Sequence, residues 1–162
     1  SSPVDREKLL YEAPPTPAIA GARILLADDN QYNLQVACEL LQEVGAHVAT
    51  ANNGAEALAL LRKEKFDCVL MDVQMPVMDG LEATRQIRAD KALAGIHIIA
   101  MTANARAEDK RQCITAGMDD FLSKPLSPAQ LYTTLNIWLS RTGRADAPAT
   151  QASSSPAPTA PP

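Results

Sequence analysis

Aromatic residues are scarce in this chain: two Phe, three Tyr and one Trp among 162 residues. Its core must be built from Leu, Ile, Val and Ala, and a site that sandwiches a flat cofactor would find few rings to do it. Hydrophobic residues still make up 46%, enough for one real core. Cysteine is also sparse. Cys38, Cys68 and Cys113 are far apart, odd in number and form no C-x-x-C pair, which argues against a disulfide framework or a zinc site and suits a reducing cytoplasm. No apolar run approaches the roughly 20 residues needed to span a membrane; the stretch near Ile98 to Met101 is far too short. No cluster of Lys and Arg is dense enough to bind a phosphate backbone, and the net charge is −4, so direct nucleic-acid binding is not expected. The first residue is Ser, and no signal peptide opens the chain, which suggests a piece of a longer protein.

What is present falls into three regions. Residues 1–21 hold Pro3, Pro14, Pro15 and Pro17 and one apolar cluster at Leu9, Leu10 and Tyr11, which reads as a linker with one short helical turn. Residues 142–162 are almost wholly Ala, Pro, Ser and Thr, too poor in burial to offset ordering entropy, and read as a disordered tether. Between them, residues 22–141 form one domain.

Inside that domain, short apolar runs alternate with amphipathic stretches. Arg23–Ala27, His47–Thr50, Phe66–Met71, Ile96–Met101 and Phe121–Leu122 read as strands. Leu34, Ala37, Cys38 and Leu41 share one helical face after the first strand. Asn53 with Glu56 has capping-box spacing, Gly117 is placed to end a helix, and Ser127-Pro128 opens a last helix that buries Leu131, Leu135 and Trp138. Five strand–helix units without hairpin signals imply an α/β doubly wound parallel sheet with helices on both faces.

Ligands of such sheets bind beyond the carboxyl ends of the strands. Asp28 and Asp29 follow the first strand, Asp72 the third, Thr102 the fourth and Lys124 the fifth. Three carboxylates in one cleft repel unless a cation intervenes, and Lys124 supplies only one positive charge. With no His or Cys expected at that rim, a hard cation with oxygen ligands fits, best Mg²⁺ with roughly two or three protein oxygens and several waters. Such a centre can align and neutralise a phosphoryl group, and a carboxylate can accept one. Asp72 ends the most apolar strand and is the natural nucleophile.

These residues are similar to a known family. Asp28-Asp29-Asn30, the stretch from Met71-Asp72 through Gln74, Met75-Pro76 and Asp79-Gly80, Thr102-Ala103 and Lys124-Pro125 resemble the receiver domain of two-component response regulators. Thr102 stands 30 residues and Lys124 52 residues after Asp72, in the family's order and spacing. The resemblance covers Arg23 to about Leu139. It implies a flavodoxin-like (βα)5 fold with strand order 2-1-3-4-5. It implies that Asp72 is the phosphoacceptor, that Asp29 and Asp72 ligate Mg²⁺, that Asp28 acts through a water and that the Gln74 backbone carbonyl is a further ligand. Lys124 and Thr102 would hold the phosphoryl oxygens, Phe121 would be the aromatic switch partner of Thr102, and the Lys124–Pro125 bond would be cis. Gln74 and Asn104 occupy positions that tune hydrolysis in the family. The finer likeness of Asp28–Asn33, Met71–Pro76 and Ala116–Phe121 is to receivers of hybrid sensor histidine kinases. It implies a phosphohistidine donor, which a hybrid kinase carries in the same chain, a histidine phosphotransfer domain as next acceptor, and a cytoplasmic module of a parent that can be anchored in an inner membrane.

Other protein classes share part of this pattern. A free-standing single-domain regulator has the same motifs. A Mg²⁺-dependent phosphohydrolase with an aspartate nucleophile would want a second acid where Gln74 stands, and a cap. A flavin carrier would want a hydroxyl- and Gly-rich phosphate loop where Asp28 and Asp29 stand. A receiver catalyses its own modification and slow hydrolysis but turns over no diffusible substrate, so whether it is an enzyme is a matter of definition. Asp119 and Asp120 read as solvated loop charges, Asp79-Gly80 as a turn, and His47 and His97 as histidines without an acid partner.

Overall fold

The computed structural model describes residues 18–103 and 106–141. The linker turn at Leu9–Tyr11, Asn104 and the 142–162 tether lie outside the described residues. Five strands and five helices alternate among those described: β1 (Arg23–Ala27), α1 (Gln31–Glu43), β2 (His47–Ala51), α2 (Gly54–Lys63), β3 (Cys68–Asp72), α3 (Gly80–Ala89), β4 (His97–Thr102), α4 (Ala107–Ala116), β5 (Asp120–Ser123) and α5 (Pro128–Arg141). The strands make one parallel sheet in the order β2-β1-β3-β4-β5.

Both faces of the sheet are covered, and the strands divide their side chains between two apolar layers with period two. Ile24, Leu26, Leu70, Ile99 and Met101 pack with α1 and α5 on one face. Leu25, Val69, Met71, Ile98 and Ala100 pack with α2, α3 and α4 on the other. All five residues of β3 are buried, as expected of a central strand with no polar side. Asp72, the last of them, emerges at the carboxyl edge with β1 on one flank and β4 on the other.

The helices start and stop where local chemistry dictates. The Asn30, Asn53 and Asp79 side chains each accept the amide of the third residue on, which caps α1, α2 and α3. Glu56 reaches back to accept from the Asn52 amide, one residue beyond the N-cap amide that a strict capping box uses. Gly117 ends α4 at φ +115°, a left-handed conformation that a β-carbon would strain.

Packed structure begins before Ala22: residues 18–21 form a turn in which Ala18 and Ile19 bury against the α1/α5 layer, so the linker reading of 1–21 is too long at its end. A turn this short has no periodicity to announce its burial. On α5 the third buried position is Leu139 rather than Trp138. Trp138 stays part-buried because its indole N–H donates to Asp120 (2.8 Å). Asp79 caps a helix rather than merely forming a turn. Asp119 is no solvated charge: its Oδ2 accepts from Arg88 (3.0 Å) and from the Ile98 amide (2.8 Å), and lies 3.5 Å from His97 Nδ1. His97 therefore does have an acid neighbour, and its ring lies 5.0 Å from that of Trp138.

Candidate functional site

The carboxyl edge of the sheet gathers the site. β1 delivers Asp28, whose amide donates to Ala51 O (3.0 Å) and whose Oδ1 accepts from the Asn30 amide (2.9 Å). Asp29 follows on the exposed loop. β3 delivers Asp72, with Oδ1 accepting from the Gln74 amide (3.2 Å) and Oδ2 from Lys124 Nζ (3.0 Å). Lys124 Nζ also stands 2.9 Å from Asp28 Oδ2. Its backbone amide donates to Thr102 O (2.9 Å), which ties the loop after β5 to the end of β4. The Lys124–Pro125 peptide bond is cis.

One carboxylate oxygen from each of Asp28, Asp29 and Asp72 lies within 4.8 Å of the others. Asp28 and Asp72 are buried, and Asp29 is open. Asp28 Oδ2 is the telling atom. It is buried and paired in charge with Lys124, yet no donor is aligned on it for a hydrogen bond. The lone pairs that Lys124 leaves open on this buried carboxylate are best accommodated by a further cation or a water. Three hard anionic donors with one side open to solvent fit a magnesium-like ion, which keeps part of its water shell.

Electrostatics follow the same geometry. Burial pushes the Asp72 carboxyl up from 3.8 to about 6; the Lys124 ammonium opposes the rise and the Asp28 charge adds to it. At neutral pH the group is still mainly ionised. Burial works to lower Lys124, but its close contacts to the Asp28 and Asp72 carboxylates outweigh it and hold the ammonium above its ordinary value.

A cleft of about 630 Å³ opens over this cluster, lined among others by Asp29, Asp72, Gln74, Thr102 and Lys124. Asp28 lies beneath it against Lys124. Thr102 is buried at the end of β4. Phe121 sits apart from the lining, half-buried against the α2/α3/α4 layer with Lys110 Nζ 4.8 Å over its ring. The expectation of a rim without cysteine is corrected: Cys113 of α4 contributes to the lining, although burial raises its thiol and it stands outside the acid cluster. Asp109 lines the cleft as well. Neither residue carries a sequence signal that separates it from an ordinary helix position.

The model of the response regulator receiver domain matches residues 24–136. The chain belongs to that family. The receiver is 42% identical over 132 residues to the sensor protein GacS of Pseudomonas syringae, covering 80% of this chain and 15% of GacS. It is 41% identical over 115 residues to hybrid signal transduction histidine kinase L of Dictyostelium discoideum, covering 67% of this chain and 7% of the kinase. The chain thus spans a small fraction of the relatives it matches. Among solved structures it is similar to the receiver domain of a sensor histidine kinase from Pseudomonas aeruginosa, crystallised with magnesium coordinated in its active-site cleft (40% identity, TM-score 0.70, 74% of this chain and 98% of that one). It is also similar to the receiver of the Saccharomyces cerevisiae response regulator Ssk1, solved with the histidine phosphotransfer protein Ypd1 (28% identity, TM-score 0.70, 74% and 89%). Relatives come from bacteria, plants and Dictyostelium, so membership of the family does not by itself assign a bacterial source.

Proposed function

We propose that this receiver takes a phosphoryl group from a phosphohistidine onto Asp72, within a hybrid sensor histidine kinase, and passes it to a histidine phosphotransfer domain. Asp72 carries the reading: it is an ionisable carboxylate at the floor of an open cleft, flanked by two more acids and one lysine. Its carboxylate oxygen forms the new P–O bond, the P–N bond breaks, and the imidazole nitrogen keeps the electron pair. Lys124 exchanges its two carboxylate contacts for the phosphoryl oxygens. The Thr102 hydroxyl donates to another of those oxygens. Asp28, Asp29, Asp72 and the Gln74 carbonyl would hold Mg²⁺, which when bound supplies charge neutralisation for the phosphoryl group. The added charge of about −1.5 to −2 biases a two-state surface. Phe121, half-buried beside Lys110, repacks as Thr102 moves and relays the change to α4 and β5.

The Ypd1 complex of a similar receiver supports the choice of acceptor, and the kinase relatives support the setting. We place the module on the cytoplasmic side, with residues 22–141, extended by the packed 18–21 turn, as the phosphoacceptor unit and the Pro-rich ends as tethers. No described helix is long and apolar enough to cross a membrane. The test is labelling with acetyl phosphate. The wild-type protein should form an acid-stable, base-labile acyl phosphate that disappears with EDTA and in Asp72→Asn; undiminished labelling of that variant removes Asp72 from the role.

A further inference from the structure

The loop from Val73 to Asp79 carries Gln74, whose backbone carbonyl is the proposed further ligand of the cation, and the loop is held under strain. Val77 adopts φ +69°, a left-handed conformation that costs a β-branched residue more than most, while its side chain is 85% exposed and so gains nothing from burial. Such a conformation persists only where neighbours impose it. The base of the loop is closed by Gly80 N–H donating to Val73 O (2.9 Å), and its start by Val73 N–H donating to Met101 O (3.0 Å). Beyond the strained residue, the loop is tied to a separate unit of the fold: Gly54 N–H, at the first turn of α2, donates to Met78 O (2.8 Å).

Gly54 also lacks room for a side chain. A β-carbon there would stand 2.7 Å from Met78 O, 2.9 Å from Ala83 Cβ and 3.0 Å from Asp79 O. Two of these neighbours are loop backbone, so no rotamer change relieves the contact. The backbone of Gly54 is not left-handed, so alanine is conformationally acceptable and by helix propensity would be favoured. The glycine is therefore required by the loop and not by its own helix.

We infer that Gly54 is a positioning residue for the cation site: its amide and its missing β-carbon fix the strained 73–79 loop that presents the Gln74 carbonyl beside Asp72. The inference rests on the proposed Mg²⁺ site and adds a residue from the unit of the edge strand, which contributes no side chain to the cluster. It assigns α2 a part in phosphoacceptance through backbone geometry alone.

The experiment compares Mg²⁺ dissociation constants, from thermal shift and isothermal titration, for the wild type, Gly54→Ala and Ala59→Gly. Ala59 lies on the exposed side of the same helix, so glycine there weakens α2 without touching the loop. Gly54→Ala should weaken Mg²⁺ binding by about tenfold, the low end of what outer-shell partners of a metal contribute. Its labelling by acetyl phosphate should recover at saturating Mg²⁺. Ala59→Gly should lower Tm and leave the dissociation constant unchanged. Equal Mg²⁺ affinity in Gly54→Ala and the wild type overturns the inference while leaving the site itself intact, whereas a wild type that binds no Mg²⁺ and takes no label overturns the site. Should Gly54→Ala not fold, hydrogen exchange on the wild type decides: linkage is reciprocal, so Mg²⁺ must slow exchange of the Gly54 amide, and unchanged exchange at saturating Mg²⁺ refutes the role.

Discussion

Titrating Mg²⁺ into metal-free protein should raise its melting temperature steeply, and the structure sets the scale. Each pair among the Asp28, Asp29 and Asp72 oxygens lies within 4.8 Å. At an effective dielectric of about 20, each such pair repels by roughly 3.5 kcal/mol. Lys124 stands 2.9 and 3.0 Å from two of them, an attraction of about 5.5 kcal/mol each on the same basis. Repulsion and attraction nearly cancel, which leaves the burial of Asp28 and Asp72 uncompensated and a residual charge that a divalent ion can neutralise. An ion that binds only the folded form stabilises it by about 1.4 kcal/mol at ten times its dissociation constant. For a domain of this size that corresponds to roughly 4–6 °C. Differential scanning fluorimetry at fixed ionic strength, with NaCl as the control, measures it. Asp72→Asn should melt higher than the wild type in EDTA, because one repelling carboxylate is gone, and should lose most of the Mg²⁺ response. Asp28→Asn should lose it too. A wild type indifferent to Mg²⁺, or both variants responding like the wild type, would refute the argument.

Other outcomes follow from single contacts. In EDTA, the raised pKa of Asp72 means the folded form holds its proton more tightly than the unfolded chain; this contribution is full below pH 4 and is lost as pH rises to about 6, so the Tm difference between Asp72→Asn and the wild type should widen across that window. Arg88 donates to the carbonyls of Gly117, Ala94 and Ile96 and to Asp119, so Arg88→Met should cost roughly 2 kcal/mol in urea denaturation, with Mg²⁺ affinity preserved because this network lies at the opposite edge of the sheet. Leu70→Ala, in the middle of the central strand and fully buried, should cost about 2–5 kcal/mol by the same assay. Lys124→Met should bind Mg²⁺ more tightly than the wild type, since it removes a competing cation, while labelling from acetyl phosphate slows; weaker Mg²⁺ binding would contradict the charge balance described above.

Alternation of short apolar runs with amphipathic helices was enough to specify a parallel sheet covered on both faces, because burial periodicity is a local property written into each segment. β3 shows it most plainly, buried at every position. The rule that ligands gather at the carboxyl ends of such strands then pointed to Asp28, Asp29, Asp72, Thr102 and Lys124, and the structure brings them to one edge. Contacts between distant segments were another matter. Lys124 reaches Asp28 and Asp72 together, Arg88 reaches Asp119, the Tyr132 hydroxyl donates to Leu40 O 92 residues away, and Gly54 braces Met78. None of these has a periodic signature, since each depends on which helices the crossovers bring side by side. Ile19 and Trp138 show the same limit at the ends of the domain, where burial is decided by the layer that happens to cover the residue. The order of residues along the chain specified the elements and the chemistry at their ends, whereas the distances at which that chemistry acts came from the packing of segments far apart in sequence.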